Sequence, residues 1–200
     1  MNLLKGKSRE ISGHRVSRRR FLSLGLVTVA SGIFPLHTLA AADDFLSPER
    51  SLSIHNLFTG EELNSVYWSR GKYIPESLDK LNFIFRDFHN GIIKPIDKRL
   101  LDFLFALQQK LRNEGPLHII SGYRSPKTNA FLKKQGKGVA RNSLHMYGKA
   151  VDMRLPGYKL RVLRRTAIEL QGGGVGYYPR ADFVHLDVGR VRYWSNTKRS

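Results

Sequence analysis

Apolar and polar residues alternate through Leu52-Ser53-Ile54-His55-Asn56-Leu57, Thr59-Gly60 offers a turn, and Val66-Tyr67-Trp68 follows as a second extended run. This pattern predicts a β-hairpin. Leu78, Leu81, Ile84, Phe85 and Phe88 then recur at three- and four-residue steps behind Pro75, predicting a helix that Asn90-Gly91 ends. Asp97 is placed to cap a second helix, in which Leu100, Leu101, Leu104, Leu107 and Leu111 form an apolar stripe before Glu114-Gly115-Pro116 stops it. Both stripes read as core.

Leu117-His118-Ile119-Ile120 reads as a strand that delivers Ser121-Gly122-Tyr123-Arg124-Ser125. A short helix is expected from Ser125-Pro126 to about Gln135, and Gly136-Lys137-Gly138 forms a basic loop placed to border a cleft. A polar stretch from Ser143 feeds the strand-like Ala150-Val151-Asp152-Met153. A helix then runs from about Leu160 to Leu170, broken by Gly172-Gly173-Gly174. Val175 to Tyr178 and Phe183 to Val188 read as the last two strands, joined by a turn at Pro179-Arg180. A hairpin, two helices and then strands interrupted by helices predict an α+β fold, with an antiparallel sheet core and helices packed on one side.

Two strand-like runs carry polar groups that are costly among apolar neighbours: Asp152 between Val151 and Met153, and His185 between Val184 and Leu186. His145 precedes Asp152 by seven residues, a spacing that fits a loop feeding a strand. Two imidazoles and one carboxylate suit a three-ligand zinc site with a fourth position for water. The same residues also suit a hydrogen-bonded His/Asp cluster. Asp187 shares the strand face of His185 and is placed to support it. Arg124, where a strand ends, is placed to grip a substrate carboxylate or an oxyanion, or to make a structural salt bridge. His55 reads as a surface strand residue.

The chain has 200 residues with 41% hydrophobic content, which favours one ordinary domain once any targeting segment is removed. It has no cysteine, which excludes disulfides, cysteine-ligated zinc, a cysteine nucleophile and a lipid-attachment cysteine. The formal charge is +18, and residues 43–200 keep 27 bases against 15 acids. A surface this basic favours polyanions. Nucleic acid is one such partner, but no recognised binding motif is present and an export signal argues against it.

That signal is Ser17-Arg18-Arg19-Arg20-Phe21-Leu22, a twin-arginine signature, followed by an apolar run to Leu36 and an Ala40-Ala41-Ala42 cleavage site. The run is diluted by Gly25, Thr28, Ser31 and Gly32 and is too short for the roughly 20 residues of a spanning helix. Residues 1–42 are therefore expected to be a twin-arginine signal peptide handled by that export machinery, and residues 43–200 a periplasmic domain with no stable membrane span after processing. A basic amphipathic arm or an uncleaved anchor is the other reading of the same stretch.

Ser143-x-His145-x-x-Gly148-x-Ala150-x-Asp152 resembles the S-x-H-x-x-G-x-A-x-D motif of the D-Ala-D-Ala carboxypeptidase/VanX-like zinc peptidases, the LAS superfamily. The chain from about residue 43 to 194 is more closely similar to the DUF882 (YcbK-like, MepK-like) murein endopeptidase branch. Ser121-Gly122-Tyr123-Arg124-Ser125, Gly173 to Arg180 and Phe183-Val184-His185-Leu186-Asp187 support the likeness. The resemblance implies the LAS (Hedgehog/D-Ala-D-Ala-peptidase-like) fold and one zinc per chain, held by His145, Asp152 and His185. It makes Ser143 a substrate-contacting residue and Arg124 a residue that binds substrate and stabilises the transition state. VanX-like relatives place a Glu three residues before the last ligand. Here Asp182 stands there, one methylene shorter, as the candidate general base or an orienting group. The implied activity is hydrolysis of peptide crosslinks in murein. A carboxypeptidase that trims terminal D-Ala and a non-catalytic zinc-containing wall-binding protein are the alternatives.

Overall fold

The computed structural model describes residues 49–136 and 139–196, so the expected signal segment 1–42, Lys137 and Gly138 lie outside the described residues. The elements in order are β1 (Arg50–Asn56), β2 (Glu62–Ser69), β3 (Lys72–Tyr73), α1 (Pro75–Ile84), α2 (Lys98–Leu111), β4 (Leu117–Ser121), α3 (Pro126–Lys134), a 3-10 turn (Leu144–Tyr147), β5 (Ala150–Arg154), α4 (Leu160–Glu169), β6 (Gly174–Tyr178), β7 (Phe183–Asp187) and β8 (Arg192–Ser195). The α+β class expected from the element order is the one observed.

All eight strands form one sheet in the order β3-β2-β1-β4-β5-β7-β6-β8. Five of the seven pairings are antiparallel; β1 with β4 and β6 with β8 are parallel. The sheet is therefore mixed. Each parallel pair is separated in sequence by other elements, α1 and α2 in one case and β7 in the other, as parallel neighbours require.

Strand alternation divides the sheet into two faces. Leu52, Ile54, Leu117, Ile119, Val151, Met153, Val175, Val184 and Leu186 join one buried cluster with Leu81 and Ile84 of α1, Leu100, Leu101, Leu104 and Leu107 of α2, and Leu163 and Ala167 of α4. On the other face β5, β6, β7 and β8 present Asp152, Tyr178, His185, Asp187, Arg192 and Trp194. The apolar stripes thus position the site indirectly: by holding one face of β5 and β7 in the core, they commit the alternate residues to the opposite side.

Two helix starts behave as their sequences require. The Asp97 side chain accepts from Arg99 N to cap α2, and the Ser125 side chain accepts from Thr128 N to cap α3 ahead of Pro126. The end of α1 differs from expectation. The helix stops at Ile84 and does not reach Asn90. A longer helix would need the carbonyls of Ile84 and Phe85 for its own ladder. Instead Ile84 O accepts from Asn56 Nδ2 at 2.9 Å, and Phe85 O accepts from Tyr123 N at 2.7 Å. Two further strands, β3 and β8, extend the sheet beyond the expected set.

Candidate metal centre

The motif from Ser143 to Asp152 folds as a 3-10 turn leading into β5. Gly148 ends the turn at φ +65°, and a Cβ there would run into the carbonyl of Pro95, so both conformation and close approach call for glycine. His145 projects from the turn, Asp152 from β5 and His185 from β7, where Asp152 and His185 are direct cross-strand partners.

The three side chains converge. His145 Nε2 lies 3.1 Å from His185 Nδ1 and 3.3 Å from Asp152 Oδ1, and His185 Nδ1 lies 2.9 Å from Asp152 Oδ1. All three residues offer a ligand atom within 4.8 Å of the others, and no other such group exists among the described residues. A zinc ion at 2.0–2.1 Å from tetrahedral ligands spaces them by roughly 3.3 Å, so this triangle fits three corners of such a shell.

Each imidazole is held from behind. His145 Nδ1 donates to Gly122 O at 2.7 Å, which leaves Nε2 as the lone-pair nitrogen of the neutral ring. His185 Nε2 donates to Asp187 Oδ2 at 3.1 Å, so its Nδ1 is the nitrogen aimed at the shared point. Asp187 is fully buried and receives Arg192 Nη2 at 2.7 Å, Arg192 Nη1 at 3.0 Å and the backbone N–H groups of Gly174 and Gly189. A buried carboxylate behind a ligating histidine fixes the ring and raises its basicity.

The electrostatics follow from these contacts. Burial pushes the Asp152 carboxyl up, but the facing His145 and His185 outweigh it and hold Asp152 far below the usual range. Burial drives His145 down despite Asp152, favouring the neutral ring. Burial also opposes charge on His185, but its hydrogen bonds to Asp152 and Asp187 prevail, and its pKa rises to about 9. Charge on His185 is thus favoured by the carboxylates on either side of its ring, Asp152 and Asp187.

Arg124 lies behind the other oxygen of Asp152. Its Nη2 reaches Asp152 Oδ2 at 3.3 Å and Ser121 Oγ at 3.2 Å, and its Nη1 reaches Asn129 Oδ1 at 3.5 Å. The residue is only 6% exposed, and burial lowers its pKa against the pull of Asp152, although a guanidinium stays charged. In this geometry Arg124 makes a buried ion pair and also borders the cleft. Ser143 is buried at the start of the 3-10 turn and lines the same cleft.

That cleft is a cavity of about 700 Å³ whose lining includes the three converging residues, Arg124, Ser143 and Trp194. The structure does not bring Asp182 there. Asp182 sits on the turn before β7 at φ +52°, its side chain 63% exposed and paired with Arg154 Nη1 at 3.2 Å. Among the described residues Asp152 is the one acid lining the cavity.

The family model for peptidoglycan L,D-endopeptidase MepK, Peptidase_M15_2, matches residues 46–194. The chain belongs to this family. The peptidoglycan L,D-endopeptidase MepK of Escherichia coli (strain K12) is 42% identical over 178 residues, covering 89% of this chain and 97% of the relative. The probable peptidoglycan L,D-endopeptidase MepK of Haemophilus influenzae is 37% identical over 181 residues, covering 89% of this chain and 95% of the relative.

In this member of the MepK family, β8 adds residues that sequence reasoning passed over. Trp194 stands opposite Gly176 in the parallel register, and a Cβ on Gly176 would come within 2.6 Å of its ring. The indole therefore lies down against the sheet, 5.3 Å from the His185 ring, with Nε1 donating to Tyr178 OH at 2.9 Å. Arg192 covers the Trp194 ring at 4.9 Å while holding Asp187. The readable signal was Arg192-x-Trp194 at period two, facing Gly174-x-Gly176 at the same period.

Proposed function

We propose that this chain is a zinc-dependent murein endopeptidase that hydrolyses peptide crosslinks, including those joining two diaminopimelate residues. The observation that carries the reading is the buried His145–Asp152–His185 triangle, both of its imidazoles tied from behind, in a chain 42% identical to a peptidoglycan L,D-endopeptidase. Two imidazoles and one carboxylate form a donor set that suits zinc and leaves a position for water. Zinc bound there supplies a nucleophilic water near neutral pH and polarises the scissile carbonyl.

The chain's own residues supply the rest. Gly122 O and Asp187 fix the ring orientations of His145 and His185. Arg124 restrains the second oxygen of Asp152 and places a positive charge at the edge of the cleft, where it favours an oxyanion developing on the substrate. Ser143 lines the cleft for contact with the peptide, and the Trp194 and Tyr178 side chains wall it. Asp182 enters this reading outside the resting site: proton transfer by its carboxylate requires the pair with Arg154 to open and the chain before β7 to shift.

Export by the twin-arginine route and residence in the periplasm complete the proposal, resting on Ser17 to Leu22 and Ala40-Ala41-Ala42. Among the described residues no helix is long and apolar enough to cross a membrane.

The test is incubation of the zinc-loaded protein with intact crosslinked murein, followed by mass analysis of the muropeptides. Crosslinked dimers should fall and monomers rise, and His185→Ala should abolish the change. Dimers left intact with pentapeptides shortened by one alanine would identify a carboxypeptidase. Zinc bound without any cleavage would identify a wall-binding protein.

A further inference from the structure

Helix α3 turns a phenylalanine to water. Thr128 and Asn129 form its buried side, and Lys127, Phe131 and Lys134 follow one another at steps of four and three on the opposite side. All three are exposed, Phe131 at 51%. A ring set between two lysines on an outward helix face belongs neither to the core nor to an ordinary solvated face.

Phe131 has apolar company. His89 meets it edge-on at 6.5 Å, Phe88 meets His89 at 4.3 Å, and Phe58, 59% exposed, stacks on Phe88 at 4.1 Å. The loop that carries Phe88 and His89 closes where Asp87 N donates to Ile92 O at 3.0 Å, and it leaves Ile92 and Ile93 49% and 52% exposed. This loop is pinned to α3: Ser125 N donates to Asp87 Oδ2 at 2.8 Å, and Asn90 Nδ2 to Ser125 Oγ at 2.7 Å. Three separate segments thus hold one fixed apolar patch open to water.

The free charge beside the patch has one sign. Residues 115–151 hold seven bases and no acid. The acids nearest to the rings along the chain are already engaged. Asp87 is 1% exposed and accepts from Ser125 N and His89 N, and Glu61 takes both ends of Arg86 at 2.8 Å and 3.0 Å.

We propose that this face docks on an anionic phospholipid surface, with Phe58, Phe131 and the two isoleucines entering the headgroup boundary and Lys127 and Lys134 meeting lipid phosphates. The proposal goes beyond the peptidase reading and does not depend on it. Peripheral attachment is firm where apolar insertion and basic attraction act together, and this face offers both. A second copy of the chain is a poor occupant, because two such faces would bring their lysines together. Single-stranded nucleic acid needs open ring faces to stack on, and here Phe58 and Phe88 cover each other.

All eight strands and the buried core lie within residues 50–195, so residues 43–200 are tested without the basic, apolar stretch before them, which would bind vesicles by itself. The zinc-loaded protein is cosedimented with vesicles of phosphatidylglycerol and phosphatidylethanolamine, and with vesicles of phosphatidylcholine alone. It should bind the anionic vesicles about tenfold more tightly or better. Lys127→Ala/Lys134→Ala should weaken that binding about 25-fold, at about fivefold per charge, and Phe58→Ala/Phe131→Ala about tenfold. Arg161→Ala/Arg165→Ala removes two exposed bases from α4, which packs on the opposite face of the sheet, and should change binding less than about twofold. Circular dichroism and zinc affinity show that each variant is folded. Equal binding to both vesicle types overturns the proposal, as does undiminished binding in the lysine or the phenylalanine variant, or an equal loss in the α4 variant. A single-stranded oligonucleotide bound more weakly by Phe58→Ala/Phe131→Ala, with vesicle binding unchanged, overturns it in favour of a nucleic-acid platform. A dimer in solution that the same variant dissolves, again with vesicle binding unchanged, overturns it in favour of self-association.

Discussion

Arg192 closes on Asp187 with both ends of its guanidinium, Nη2 at 2.7 Å from Oδ2 and Nη1 at 3.0 Å from Oδ1. Asp187 Oδ2 also accepts from His185 Nε2, so three side chains from β7 and β8 form a line that ends at the candidate metal. Two backbone N–H groups complete the cage around a fully buried carboxylate. Burial pushes the Asp187 carboxyl up, but the bonds from His185, Arg192 and Gly189 N outweigh it and hold Asp187 far below the usual carboxyl range. Asp187→Ala removes the acceptor behind His185 and frees the ring to turn. Zinc affinity, measured by competition with a chromogenic chelator, should fall roughly 10- to 100-fold. Arg192→Ala should move it in the same direction by less, since both N–H groups remain. Unchanged affinity in Asp187→Ala would remove Asp187 from the site's support.

Arg124 and Asp152 make the other supporting pair, and the metal changes what it is worth. With both groups buried, removing the arginine strips Asp152 Oδ2 of its ion pair, while His185 still faces Oδ1. Breaking a buried pair costs about 3–5 kcal/mol when the remaining charge is left alone, and here His185 offsets part of that. Arg124→Ala should therefore lower the denaturation midpoint of the metal-free protein by less than that full cost. Zinc supplies positive charge beside the same carboxylate, so the loss should shrink when the metal is added. Equal losses with and without zinc would show that Asp152 does not ligate it.

Proton and metal compete at His185, whose pKa stands near 9 in the metal-free site. Below pH 9 the metal must displace that proton, so zinc affinity should rise about tenfold per pH unit and flatten above pH 9. The stability of the metal-free protein has the opposite slope. A raised folded pKa contributes stability that is fully present below the ordinary imidazole value of 6.5 and is lost as pH climbs through about 9. Melting temperatures across pH 6 to 10, with and without zinc, should separate in that window, and parallel curves would refute the competition.

The convergence of His145, Asp152 and His185 was readable because its signal is local. Asp152 and His185 each stand alone among apolar neighbours at strand period, and Gly148 marks the turn that brings His145 to them. The apolar stripes of α1 and α2 were legible for the same reason. What escaped was decided far along the chain. Nothing near Phe85 announces that Tyr123 N takes its carbonyl, so the helix seemed to continue through Phe88. That early stop leaves Phe88 and His89 in the loop that follows α1. The four residues of β8 hold too little pattern to identify alone; their place is set by Gly174 and Gly176, which leave room for Arg192 and Trp194. The Asp182–Arg154 pair likewise depends on a turn whose shape spacing does not give.

Asp182 tests how far motif spacing carries. It stands three residues before His185, where a proton-transferring carboxylate is expected from the resemblance to VanX-like peptidases. In the structure the carboxylate is exposed and paired with Arg154, a surface partner. Removing a general base costs roughly 10²- to 10⁴-fold in rate, whereas losing an exposed ion pair changes little. The resting geometry favours the second outcome: Asp182→Ala should keep kcat/KM on crosslinked dimers within about tenfold of wild type. Arg154→Ala frees the carboxylate without removing it and separates the two roles. Under the surface-pair account both variants behave alike. A large loss in Asp182→Ala together with a gain in Arg154→Ala would show that the pair restrains a working base and that the turn before β7 moves during the reaction.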